Sequence, residues 1–123
     1  MQRKVSIIHA LFIVLNELDY LDDILGGFVD IGLSGATVLD SQGMANIIVN
    51  SSKQHSFLYG HLKKFMQDSL PYNKTIFTVI EKEELLQEAV SVVQNIIGHA
   101  LRPGVGFMFS IPIAKIYPMG IEE

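Results

Sequence analysis

Two amphipathic helical stretches set among four short apolar runs, in the order strand, helix, strand, strand, helix, strand, predict an α+β fold. The pattern is that of a ferredoxin-like βαββαβ sandwich with a long insert between strands 2 and 3. At 123 residues, 49% of them hydrophobic and only 18% charged, the chain suits a single domain, residues 1–123, built around one core. That composition is too apolar for a disordered polymer, and no Pro/Gly/Ser-rich linker divides it.

Residues 5–15 are strongly apolar, yet the run is too short to cross a bilayer. Asn16-Glu17-Leu18-Asp19 follows where a signal peptide would carry a small-residue cleavage site, so a folded strand is expected. Residues 9–15, continuously apolar and partly β-branched, predict a central strand covered on both faces. Leu18, Leu21, Ile24, Leu25, Phe28 and Val29 then recur at three- and four-residue intervals, with Asp19, Asp22, Asp23 and Asp30 on the other face. This is an amphipathic helix, and its acidic first half matches the positive end of the helix dipole. Gly32 is the expected stop, after which Leu33-Ser34-Gly35 turns into a second strand at about residues 36–40.

The insert, about residues 41–73, contains no strong strand. Ile47-Ile48-Val49 predicts an extended arm, Phe57, Leu58, Leu62, Phe65 and Met66 a short helix, and Pro71 its end. Residues 74–80 form the clearest strand, and Glu81-Lys82-Glu83-Glu84 marks the acidic start of a second helix reaching about Gly98. Leu85, Leu86, Ala89, Val92, Val93, Ile96 and Ile97 make its apolar stripe. Arg102-Pro103-Gly104-Val105-Gly106 turns into a last strand at about residues 107–117. Both helices then cover one face of the sheet, and the other face, made of strands this apolar, requires a cover that oligomerisation supplies.

Composition also narrows function. A formal net charge of −4 with no run of Lys or Arg argues against nucleic acid as a partner, because duplex binding needs clustered cations. With no cysteine there is no disulfide framework, thiolate nucleophile or cysteine metal site, and a cytoplasmic location without direct membrane insertion is expected. His9, His55, His61 and His99 include no pair at the four-residue helical ligand spacing, so no metal is expected. Neither a Gly-x-Ser-x-Gly elbow nor a Walker phosphate loop is present, and Glu81, Glu83 and Glu84 read as a helix start, so the chain is not expected to be an enzyme. Lys53, Lys63 and Lys64 with His55 and His61 make a local basic patch in the insert, read either as a solvated face or as a contact for an anionic ligand or partner.

Leu21-Asp22-Asp23 in the first helix, Gly35-Ala36-Thr37-Val38 in the second strand, Gly43 at the loop entrance and Pro103-Gly104-Val105-Gly106 before the last strand share one order and spacing. In these the chain resembles the PII signal-transduction family and its PII-like relatives. The resemblance implies a homotrimeric regulator, associated in the family with nitrogen regulation, that signals through a mobile loop after strand 2. It also implies an adenine nucleotide in clefts between subunits, no required cofactor, and ligand contacts at Thr37, Gly43, Met44, Ala45, Gly104 and Gly106. The chemistry is consistent, since glycines admit a phosphate close to backbone N–H groups and a Thr hydroxyl can meet a base or ribose. Phe107 stands where the family follows the second glycine with a lysine, and Ile116-Tyr117-Pro118-Met119 stands where it carries two arginines. A triphosphate would thereby lose most of its charge-assisted contacts.

Two plainer readings stand beside these. Gly104 and Gly106 can serve only to make a tight loop, and Thr37 can be an ordinary strand residue. The chain as a whole can equally be a structural or protein-interaction module of ferredoxin-like fold with no nucleotide ligand. In that case the apolar insert packs permanently, whereas in the regulatory case the 41–73 loop meets a protein target.

Overall fold

The computed structural model describes residues 7–33, 35–44, 47–48, 72–98 and 104–120. They form strand β1 (Ile8–Leu15), a 3-10 turn (Leu18–Tyr20), helix α1 (Leu21–Asp30), β2 (Thr37–Ser41), β3 (Asn73–Ile80), α2 (Glu83–Ile97) and β4 (Gly106–Ile113). The strands make one sheet in the order β2-β3-β1-β4, and every neighbouring pair is antiparallel. The α+β, ferredoxin-like arrangement expected from the sequence is thus present.

Alternation along the strands decides what is buried. Leu11, Ile13 and Leu15 of β1 meet Ile76 and Ile80 of β3, Ile24 and Phe28 of α1, and Leu86, Ala89 and Val93 of α2 in one core. Thr78 is the polar member of this layer, and its hydroxyl donates to the Gly35 carbonyl at 2.6 Å, which ties the approach to β2 onto β3. Helix α1 stops at Gly32, whose φ of +93° places the Gly32 N–H on the Val29 carbonyl (3.0 Å) and the Leu33 N–H on that of Phe28 (2.8 Å). This is a Schellman cap, and Leu33 and Phe28 both enter the core, as the motif's apolar contact requires.

Three expectations are corrected. Among the described residues β1 is covered mainly on its helix side: on the opposite face Ala10 is buried but Phe12 and Val14 are only half-buried, because strand alternation sends them away from both helices. The last strand ends at Ile113, which pairs with Ile8, the first residue of β1, so residues 114–120 have no β1 partner to extend the ladder. Ile47 and Ile48 are helical rather than an extended arm, and the Ile47 N–H donates to the Gly43 carbonyl at 3.2 Å. Val49 and the short helix expected around residues 57–66 lie outside the described residues.

Away from the helices the sheet carries an aromatic ladder. Phe12 stacks on Phe77 at 5.7 Å between ring centroids and on Phe109 at 5.0 Å, and Phe109 stacks in turn on Phe107 at 6.1 Å. Phe107 is 62% exposed, and Leu39, Val79, Phe109 and Ile111 are exposed as well. The register puts Leu39 opposite Thr75, Val79 opposite Ala10 and Ile111 opposite Ala10, so these side chains share the face of the ladder. Among the described residues no helix is long and apolar enough to cross a membrane.

Candidate functional site

The stretch from Gly35 to Gly43 is the edge of the sheet. Thr37 pairs with Phe77, is exposed, and by alternation stands on the same face as the aromatic ladder. Gly43 and Met44 lie just past the end of β2, where the helical turn begins, and both are exposed. A Cβ on Gly43 would meet nothing within 4 Å, so packing within the described chain does not demand glycine there. Ala45 lies outside the described residues.

Gly104 and Gly106 form the second group, with φ of +91° and +152°. The turn is held from the end of β1: the Asn16 side-chain amide donates to the Gly104 carbonyl at 2.9 Å, and the Asn16 backbone N–H donates to the Val105 carbonyl at 2.9 Å. Gly106 has a steric reason of its own. It pairs with Leu15, and a Cβ there would collide with the Val14 carbonyl oxygen and lie 3.3 Å from the Leu15 Cα.

These two groups do not meet within one chain. Thr37, Gly43 and Met44 belong to the β2 edge, while Gly104 and Gly106 belong to the β4 edge, with β3 and β1 between them. At the usual strand spacing the edges are about 14 Å apart. A site using both groups therefore needs β2 of one copy beside β4 of another.

Among the described residues the histidine at position 9 adds no metal-ligand cluster to this site. His9 faces the start of α2, with Nδ1 at 3.8 Å from Glu83 Oε2, beyond hydrogen-bond distance. His55, His61, His99 and the Lys53, Lys63 and Lys64 patch lie outside the described residues.

One feature was missed by sequence reasoning. Where β2 leaves the sheet and β3 enters it, a cleft of about 600 Å³ opens beside the 3-10 turn, lined by Leu18, Asp40, Gln42, Tyr72 and Lys74, with Ser41 and Asn73 completing its wall. Lys74 and Asp40 are register partners, and Lys74 Nζ donates to Asp40 Oδ1 at 2.6 Å. The Ser41 hydroxyl is engaged with Asn73 and lies 2.9 Å from Thr75 Oγ1. The available signal was the alternation of polar residues at positions 40 and 42 and at 72 and 74, which sends both pairs to one side of adjacent strands.

The fold is that of the PII proteins. Two structures of B. subtilis GlnK, one of them its ATP complex, match with a TM-score of 0.60 in each case, at 16% and 15% identity, over 89% of this chain and 87% of that one. Arabidopsis thaliana PII bound to citrate matches with a TM-score of 0.52 at 19% identity, over 88% of this chain and 78% of that one. No protein-family profile matches the chain, and no curated protein matches it in sequence.

Proposed function

We propose that this chain is a divergent PII-like regulatory protein, not an enzyme. It acts as a homotrimer that binds a small adenine-containing ligand in clefts between subunits and signals through the segment after β2 to a protein target. The observation that carries the reading is the position of Thr37 on β2 with Gly43 just past its end, and of Gly104 just before β4 at the opposite edge of the sheet, as two halves of an intersubunit site would lie. The exposed apolar face supports it too, since association would remove Phe107, Phe109, Val79 and Ile111 from water. The GlnK structure that holds ATP gives the ligand class its precedent in this fold.

In this mechanism the ligand bridges the β2 edge of one subunit and the Gly104 turn of the next. It signals only by binding more tightly when the helical turn after Gly43 is formed, because a ligand with equal affinity for both loop states shifts nothing. Phe107 in place of a cation favours stacking and backbone contacts over recognition of a highly charged phosphate chain.

A thermal-shift series with AMP, ADP, ATP and cyclic dinucleotides tests the reading. At least one is expected to raise the melting temperature with saturable dependence on concentration. Failure of all of them at millimolar concentration would favour the alternative, an interaction module without a nucleotide ligand. The Gly104 and Gly106 backbone geometry is compatible with that alternative, since both conformations serve the loop into β4.

A further inference from the structure

We infer that the cleft between the ends of β2 and β3 is a binding site for a small zwitterion of the free α-amino acid class with an uncharged side chain. The groups are all supplied by one chain, so this site is separate from the intersubunit cleft proposed above and does not depend on it.

Lys74 and Asp40 are the ionised side chains lining the cleft, and they sum to zero. They are already joined at 2.6 Å, and neither is exhausted by that contact. Lys74 has three N–H donors and gives one to Asp40; Asp40 accepts through Oδ1 and keeps Oδ2. The Asp40 side chain is 88% exposed, so its second oxygen is reachable. A carboxylate placed on Lys74 and an ammonium placed on Asp40 would extend the pair into an alternating arrangement of four charges, with no existing bond broken. A dicarboxylate would instead bring a second negative group toward Asp40, and a diamine a second positive group toward Lys74.

The remaining lining fits the rest of such a molecule. Gln42 offers an amide that both donates and accepts, Tyr72 a ring and a hydroxyl, and Leu18 an apolar floor. Among the described residues no side-chain hydrogen bond engages Gln42 or Tyr72. Ser41 and Asn73, by contrast, are engaged with each other on the opposite side of the sheet, and so stiffen the wall. The cleft, about 600 Å³ and open to solvent on one side, has room for a molecule of this size.

Titration calorimetry on the full chain at low salt, with L-serine, L-asparagine and L-leucine as probes, tests the proposal. L-glutamate, L-lysine and citrate serve as charge controls. At least one neutral-side-chain amino acid is expected to bind, more tightly than the three controls. Its N-acetylated form and its decarboxylated amine, each lacking one charge, are expected to lose about tenfold or more in affinity. Lys74→Met and Asp40→Asn should cause the same loss in protein whose unliganded melting curve is unchanged. The ligand analogues keep the test valid if either variant folds poorly. Absence of binding by all three amino acids at millimolar concentration, tighter binding of citrate, or equal binding of the one-charge analogues would overturn the assignment. Nucleotide binding without amino-acid binding would refute this site and leave the PII-like reading standing; the reverse would do the opposite.

Discussion

Gly106 lies against the Val14 carbonyl of the neighbouring strand so closely that no Cβ fits between them. Its φ of +152° is also one that L side chains rarely adopt, so backbone and packing both call for glycine at this position. The residue is explained by the closure of β4 onto β1, whatever further contact it makes with a ligand.

Substitution separates the two glycines of the turn. Gly106→Ala should cost about 2–3 kcal/mol, because the methyl group must displace the Val14 carbonyl from the β1–β4 ladder. Gly104→Ala meets nothing within 4 Å and should cost only about 1 kcal/mol, from its φ of +91°. Urea unfolding of the three proteins measures the difference; equal losses would mean that the close approach to Val14 is not what constrains Gly106.

Phe109 tests the role of the aromatic face. In one chain its ring is 43% exposed and stacks on Phe12 and Phe107, so Phe109→Ser should cost the fold only about 1–2 kcal/mol. If this face is the subunit contact, the same change should release folded monomers. Light scattering paired with circular dichroism reads both effects, and an unchanged assembly mass would remove the ladder from the interface.

Phe107 bears on ligand charge. Placing an ammonium there, by Phe107→Lys, should raise affinity for ATP by about tenfold relative to AMP, since the added contact is charge-assisted and grows with phosphate number. Titration calorimetry with both nucleotides gives the ratio. If the ratio does not change, Phe107 is not at the phosphate end of the site.

The fold was legible because its signals are local. The β-branched runs around Ile13 and Ile76 and the three- and four-residue spacing of Leu21, Ile24, Leu25 and Phe28 locate elements without tertiary information. The end of β4 was not legible, because Ile116 is as apolar as Ile111 and Ile113 and Tyr117 is an equally common strand residue, and only pairing with Ile8 marks the limit. Ile47 and Ile48 misled for a related reason: β-branched residues favour strands on average, but the hydrogen bond to Gly43 sets a helical turn. At the site, the glycines were legible as special positions, whereas their causes were not. Gly106 needs its register against Leu15 to be explained, and Asp40 and Lys74 lie 34 residues apart in sequence but opposite one another in the sheet.

The division of the candidate site between β2 and β4 leads to one decisive measurement, native mass spectrometry of the full chain with AMP, ADP, ATP or a cyclic dinucleotide added. Three copies of the 13.7 kDa chain are expected in one particle, taking up to three nucleotides, one per cleft. A stable monomer, or a trimer that takes up none of these nucleotides under conditions that preserve non-covalent complexes, would contradict that expectation.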